Sequence, residues 1–211
     1  MYFPLIIIVI ILYFAYKRHV LYKQAEFFNK LLYIDKNPER YVDETDELLL
    51  KIQSERERNI NLIQKSTGLF YSGMFDEAIN ILEQKVEKIP SNWQALYYHN
   101  LILSLFFSGR TDRANDVLNE AKEAIDIYLK KNVNKTSVEF IYAAADFFNG
   151  KGKSRDEYFV NITKSAANDY RIALSHYFLS KIYEEEQRID ESEEYMDKAR
   201  IFGQGSFIEH L

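Results

Sequence analysis

The sequence predicts an all-α chain, an α-solenoid of antiparallel helical hairpins that follows an N-terminal transmembrane helix. Three observations carry this. Gly (7) and Pro (3) are scarce among 211 residues, whereas strands need frequent turn residues. Apolar residues recur at three- and four-residue spacing along the chain after residue 22. One short signature returns in GMFDEA (73–78), GRTDRA (109–114) and QRIDES (187–192): a turn-tolerant residue, then an acid, then a small residue.

The first element is residues 1–22, a membrane anchor and its flank. Tyr2 to Tyr16 contains no charged residue. At about 1.5 Å per residue it spans roughly 22 Å, short of the roughly 30 Å hydrocarbon core. Val20, Leu21 and Tyr22 continue the apolar character, and Lys17 and Arg18 can snorkel to the interface. Tyr2, Tyr13 and Tyr16 suit interfacial depths, and Pro4 falls in the first turn, where a missing N–H is tolerated. A cleaved signal peptide would need a basic leader and a small-residue cleavage site, and neither is present. A buried core helix is the other alternative to an anchor. Lys17, Arg18 and Lys23 follow the span and no Lys or Arg precedes it, so the expected topology places the C-terminal part in the cytoplasm, at the cell membrane, as a single-pass protein.

The second element, residues 23–205, reads as a stack of hairpins near 23–53, 59–90, 95–130, 136–167 and 171–201. Ahead of the three signatures lie the helix-length segments NLIQKSTGLFYS, LYYHNLILSLFFS and LSHYFLSKIYEEE. Behind them lie second helices with apolar faces at Ala78, Leu82 and Val86, at Ala114, Leu118 and Ala121, and at Met196 and Ala199. Asn37 and Pro38 read as an N-cap and first-position pair. Residues 136–167 and 23–53 are weaker copies of the same unit. The first two signatures are 36 residues apart. Residues 206–211 form a C-terminal tail, and the closing stretch FGQGSFIEHL offers a way to extend the last stack, while the groove or a terminal hairpin could bind another copy.

On these residues the chain resembles the tetratricopeptide repeat (TPR) family, whose period is about 34 residues. In that family a small residue in the first helix and another opening the second let two helices pack closely. Ser66 with Ala78, and Ser180 with Ser192, take those places, whereas Ile102 departs from the pattern opposite Ala114. Tyr98 and Tyr183 match family aromatics, and Pro90 matches the repeat-ending proline. Leu62, His176, Leu69 and Leu105 are substitutes at the aromatic places. The resemblance implies a superhelix whose concave face binds a protein or peptide partner. It maps that groove to Ile63, Thr67, Phe70 and Tyr71, then His99, Asn100, Leu103, Phe106 and Phe107, then Tyr177, Lys181 and Glu184. Phe106 and Phe107 cannot both point the same way, so one of them is available to the core. Some family members clamp a C-terminal carboxylate with basic residues. Asn100 falls at one such place, but Ile63 and Thr67 stand where basic partners would be needed.

Composition narrows the function classes. A net charge of −5 without a basic run gives nucleic-acid binding no electrostatic support. Cysteine is absent, and the four His are not spaced as a helical metal pair. No cofactor, metal site or catalytic residue is expected. Gly150-Lys151-Gly152-Lys153-Ser154 resembles the end of a phosphate-binding loop, but Phe147 stands where the loop's first Gly belongs and a helix precedes it. The triplets beginning at Asn134 and Asn161 are formal glycosylation sequons of little weight in a cytoplasmic domain. The acidic stretch around Glu184–Glu194 is interleaved with Lys181, Arg188, Lys198 and Arg200, which reads as a solvated helix face. The expected function is therefore a membrane-anchored interaction scaffold or adaptor. Its alternatives are an extracytoplasmic assembly or chaperone-like factor of opposite topology, and a self-associating structural subunit that forms a homo-oligomer.

Overall fold

A computed structural model describes the backbone of residues 3–131 and 133–211, and their side chains apart from residues 3–6, 8 and 9. Among these residues there is no strand. Ten α-helices follow in order: α1 (Phe3–Asn29), α2 (Pro38–Leu49), α3 (Glu55–Tyr71), α4 (Phe75–Gln84), α5 (Gln94–Phe107), α6 (Thr111–Leu129), α7 (Lys135–Asp146), α8 (Asp156–Ser165), α9 (Asp169–Glu185) and α10 (Ile189–Phe202). α3 pairs with α4, α5 with α6 and α9 with α10, α7 packs on α5 and α6, α8 packs on α9, and α2 packs on α3 and on the turn after α1.

The recurring signature builds one recurring turn. Gly73, Gly109 and Gln187 occupy its left-handed position, at φ of +76°, +77° and +61°. The residue after each donates its N–H back to the helix: Met74 to the Leu69 carbonyl at 2.9 Å, Arg110 to Leu105 at 2.8 Å and Arg188 to Tyr183 at 2.9 Å. This is the Schellman closure, which satisfies carbonyls the helix end would otherwise leave open. The small residues then allow close helix approach. Ala78 and Ala114 are fully buried, and the Ser180 and Ser192 hydroxyls meet at 3.2 Å. Starts are capped as the sequence suggests at Asn37, whose side chain accepts from the Arg40 N–H at 2.9 Å.

The Gly150–Ser154 stretch is the turn between α7 and α8. Gly150 sits at φ +73° and Ser154 Oγ donates to the Lys151 carbonyl at 2.8 Å. The acidic residues near the C-terminus form a paired surface, with Arg188 bonded to Glu186 at 3.1 Å and also to Glu191, and Lys198 paired with Glu194.

The α1 helix runs 27 residues, and Ile10, Ile11, Leu12, Phe14 and Leu21 on it are exposed. Among the described residues no helix is long and apolar enough to cross a membrane. The expected span, residues 2–16, falls partly on Tyr2 and on side chains that lie outside the described residues.

The two ends of the hairpin stack touch. Lys36, between α1 and α2, pairs with Asp169 at 2.8 Å and donates to the Phe202 carbonyl at 3.3 Å. Tyr170 meets Tyr71 at 4.5 Å and Tyr33 at 6.2 Å between ring centres. One apolar cluster therefore joins Phe28 and Leu31, Phe70 and Leu103, Phe140, and Phe178, one contribution or more from each hairpin. The tail does not prolong the stack. After α10 the chain reverses at Gly205 (φ +78°), a short 3-10 turn spans Phe207–His210, and Ile208 is fully buried.

Candidate protein-binding groove

The inner helices α3, α5, α7 and α9 face one another across a narrow interior, which changes what the expected groove residues do. Ile63, Thr67, Phe70, Tyr71, His99, Asn100, Leu103 and Phe106 are all buried. Ile63 and Leu103 are fully so, and Phe106 stacks on Phe148 of the following hairpin with centres 4.8 Å apart. The cause is the closure itself. With both ends of the stack in contact, the concave side fills with its own aromatic side chains, because packing them removes more apolar area from water than an open groove would. These eight residues are interior, not an open binding face. Phe107, Tyr177 and Lys181 are half-buried and Glu184 is exposed.

Asn100 illustrates the change. Its Nδ2 donates to Thr67 Oγ1 at 2.8 Å, Ser66 Oγ at 2.9 Å and the Ile63 carbonyl at 3.3 Å. It ties α5 to α3 and has no donor left for a ligand. His99 is buried too, and its burial first and the Arg171 charge second push the imidazole down to about 3. The ring is neutral at physiological pH. Burial, assisted by the Lys198 charge, lowers His176 to about 4.

What stays accessible is an aromatic mouth at the C-terminal ends of α3 and α5. Phe75 stacks on Phe107 at 5.6 Å, Phe70 meets Phe107 at 5.7 Å, and Tyr177 of α9 lies 5.8 Å from Phe107. Phe207 of the tail enters this mouth. Its ring stands 5.0 Å from Phe75, 5.2 Å from Phe107 and 5.6 Å from Phe70, all at steep interplanar angles. Edge-to-face contact of this kind is the favoured geometry for aromatic rings. Lys181 and Glu184 at the rim pair with each other at 2.8 Å. The sequence pattern misses Phe75 and Phe207. Phe75 sits inside the turn signature and reads as punctuation, and Phe207 lies in a tail without helical periodicity.

The chain's likeness to known proteins agrees with this architecture. No curated protein sequence matches it. Among solved structures it is similar to the crystal structure of a Podosopora anserina protein assigned as a kinesin light chain with nearly identical TPR-like repeats. The two share 16% identity with a TM-score of 0.51, over 86% of this chain and 93% of that one. That likeness concerns the fold alone. The family described as the SusR N-terminal TPR domain matches residues 39–202, from the start of α2 to the end of α10. The chain belongs to the SusR N-terminal TPR domain family.

Proposed function

We propose that this protein is a membrane-anchored scaffold whose repeat domain receives a protein partner at the aromatic mouth formed by Phe75, Phe107 and Tyr177. TPR repeats mediate protein–protein interactions, and the family assignment makes this the expected use of the stack. The observation that carries the finer reading is Phe207. The chain's own tail seats an aromatic side chain among three others there, so the mouth is shaped for one. A partner segment bearing an aromatic residue would compete for the same place. The anchor is supported by the uncharged run Tyr2–Tyr16 and by the apolar side chains that α1 leaves exposed. The cytoplasmic placement of the repeats is supported by Lys17, Arg18 and Lys23 after the run.

A photo-crosslinking residue at Tyr177, compared with the same residue at exposed Ile127 on the far helix α6, tests the mouth. A defined product formed only from position 177, and lost with Phe107→Ala, is expected. The same products from both positions would remove the mouth as the binding site. For the anchor, the full chain should pellet with membranes and resist carbonate extraction, while residues 23–211 should stay in the supernatant. Carbonate release of the full chain would refute the anchor.

A further inference from the structure

The tail that fills the mouth also touches a second place. Gly205 packs on Lys36 so closely that a Cβ there would stand 2.0 Å from the Lys36 carbonyl oxygen. Two residues on, Phe207 rests against Gly73 in the turn that closes α3, where an added Cβ would stand 3.0 Å from the Phe207 Cβ. Lys36 is itself the residue that joins the ends of the stack. Its ammonium pairs with Asp169 of α9 at 2.8 Å and donates to the Phe202 carbonyl at 3.3 Å, just before the tail begins. Its backbone is held at φ +49°, a left-handed conformation that lysine seldom adopts. Such a conformation persists only where the surrounding contacts hold it.

The two contacts move together, because residues 203–211 are bonded to one another. The Gly205 N–H donates to Glu209 Oε2 at 2.7 Å and the Ile208 N–H to Ser206 Oγ at 3.3 Å. The Glu209 N–H donates to the Ser206 carbonyl at 3.1 Å, and Ser206 Oγ donates to the Gly203 carbonyl at 2.6 Å. Two residues of chain reach at most about 7 Å, so a Phe207 ring that leaves the mouth carries Gly205 with it. At the other contact, Lys36 is continuous with the root of α1. The Asp35 N–H donates to the Lys30 carbonyl at 2.8 Å and the Asn37 N–H to the Leu31 carbonyl at 3.1 Å, and Leu31 and Leu32 are buried.

We propose that the tail is a latch that couples occupancy of the mouth to closure of the stack. With Phe207 seated, Gly205 holds the Lys36 backbone in place and the Lys36–Asp169 pair stays shut. A partner's aromatic side chain that takes the mouth lifts the tail as a unit. The contact that holds Lys36 at φ +49° is then lost, α9 loosens from the loop after α1, and the state of the mouth is felt at the root of α1. A segment with two packings, seated and lifted, is the two-state element that such coupling requires. The use of the latch by a partner rests on the mouth being the partner's site. The link between Phe207 and Lys36 belongs to this chain alone and is tested without a partner.

The test uses the full chain, which has no Cys of its own, with spin labels at Ile34→Cys and Ala167→Cys, both exposed. Electron paramagnetic resonance then reads the distance across the closure. Phe207→Asp, whose charge cannot stay among three rings, should add a longer distance that the unaltered chain lacks. Asp46→Asn breaks a close pair with Lys65, at 2.5 Å between α2 and α3, and should add none. If circular dichroism shows that Phe207→Asp has lost its helices, Phe207→Ala is measured in its place with the same expectation. Coupling between sites is reciprocal, so Asp169→Asn should make the intact chain bind a labelled peptide of residues 204–211 about tenfold or more tightly than the unaltered chain does. An unchanged distance in a helical Phe207 variant, or an unchanged peptide affinity in Asp169→Asn, would overturn the latch. Crosslinking at Tyr177 bears on the partner's site alone, so a failure there is told apart from a failure here.

Discussion

Gln187 adopts φ +61° at the same turn position that Gly73 and Gly109 hold at +76° and +77°. A side chain there costs about 1 kcal/mol, because Cβ crowds the following carbonyl. Gln187→Gly is therefore expected to stabilise the chain by roughly that amount, read as a raised urea midpoint with an unchanged slope. Asn100 gives the opposite case. Removing its donated bonds by Asn100→Leu should cost about 2 kcal/mol in the same measurement, since it also leaves Thr67 Oγ1 without that partner, while Ser66 keeps its bond to the Ile63 carbonyl. These two residues show how far the sequence is legible at this scale. The turn position of Gln187 follows from its place in a repeated signature, which is local. The role of Asn100 depends on hydroxyls 33 and 34 positions earlier, and resemblance alone assigns it to an open groove. Phe106 and Phe107 lie between these cases. Helix geometry requires them to diverge, and they do, one into the interior and one to the mouth.

Among the elements, the tail contradicts the simplest reading of the chain. A stack of hairpins suggests that a following segment adds to the end, but residues 203–211 fold back and lock against the first hairpin. Gly205 permits this. A Cβ built there would stand 2.0 Å from the Lys36 carbonyl oxygen, and the backbone is in the left-handed region. Gly205→Ala should therefore cost about 2 kcal/mol or more, and should speed amide exchange in residues 203–211 together with the Lys36 loop while leaving α5 and α6 protected. Uniform protection, or uniform loss, would mean that the contact does not set the closure. The reversal has no periodic signal to announce it. Gly203, Gly205 and Ser206 mark a turn but not its direction, which the partner surface at Lys36 decides.

Across the whole molecule, closure turns a concave face into an interior and places a neutral imidazole inside it. The pH response follows. The folded His99 is lowered to about 3 and His176 to about 4, against about 6.5 when unfolded. Below about pH 6.5 the unfolded chain binds protons that the folded chain does not. The stabilisation is complete above that pH and is lost as the pH falls toward the folded values. Each group contributes at most about 1.4 kcal/mol per pH unit. The melting temperature should fall between about pH 6 and pH 4.5, and His99→Gln should make that fall shallower. An equal slope in the variant would place His99 in water. The all-helical repeat class is readable from turn spacing and apolar periodicity, both local properties. The closed interior is not, because it arises from the small rotation that each hairpin adds to the last.

The most direct test of a self-filled mouth is to supply the tail from outside. The chain ending at Gly203 is mixed with a labelled peptide of residues 204–211, and binding is followed by fluorescence anisotropy, with circular dichroism confirming that the shortened chain keeps its helices. Saturable binding is expected, together with its loss when the peptide carries Phe207→Ala and its absence when the intact chain replaces the shortened one. Equal binding to intact and shortened chains, or no binding to a shortened chain that is still helical, would contradict the placement of Phe207 in the mouth.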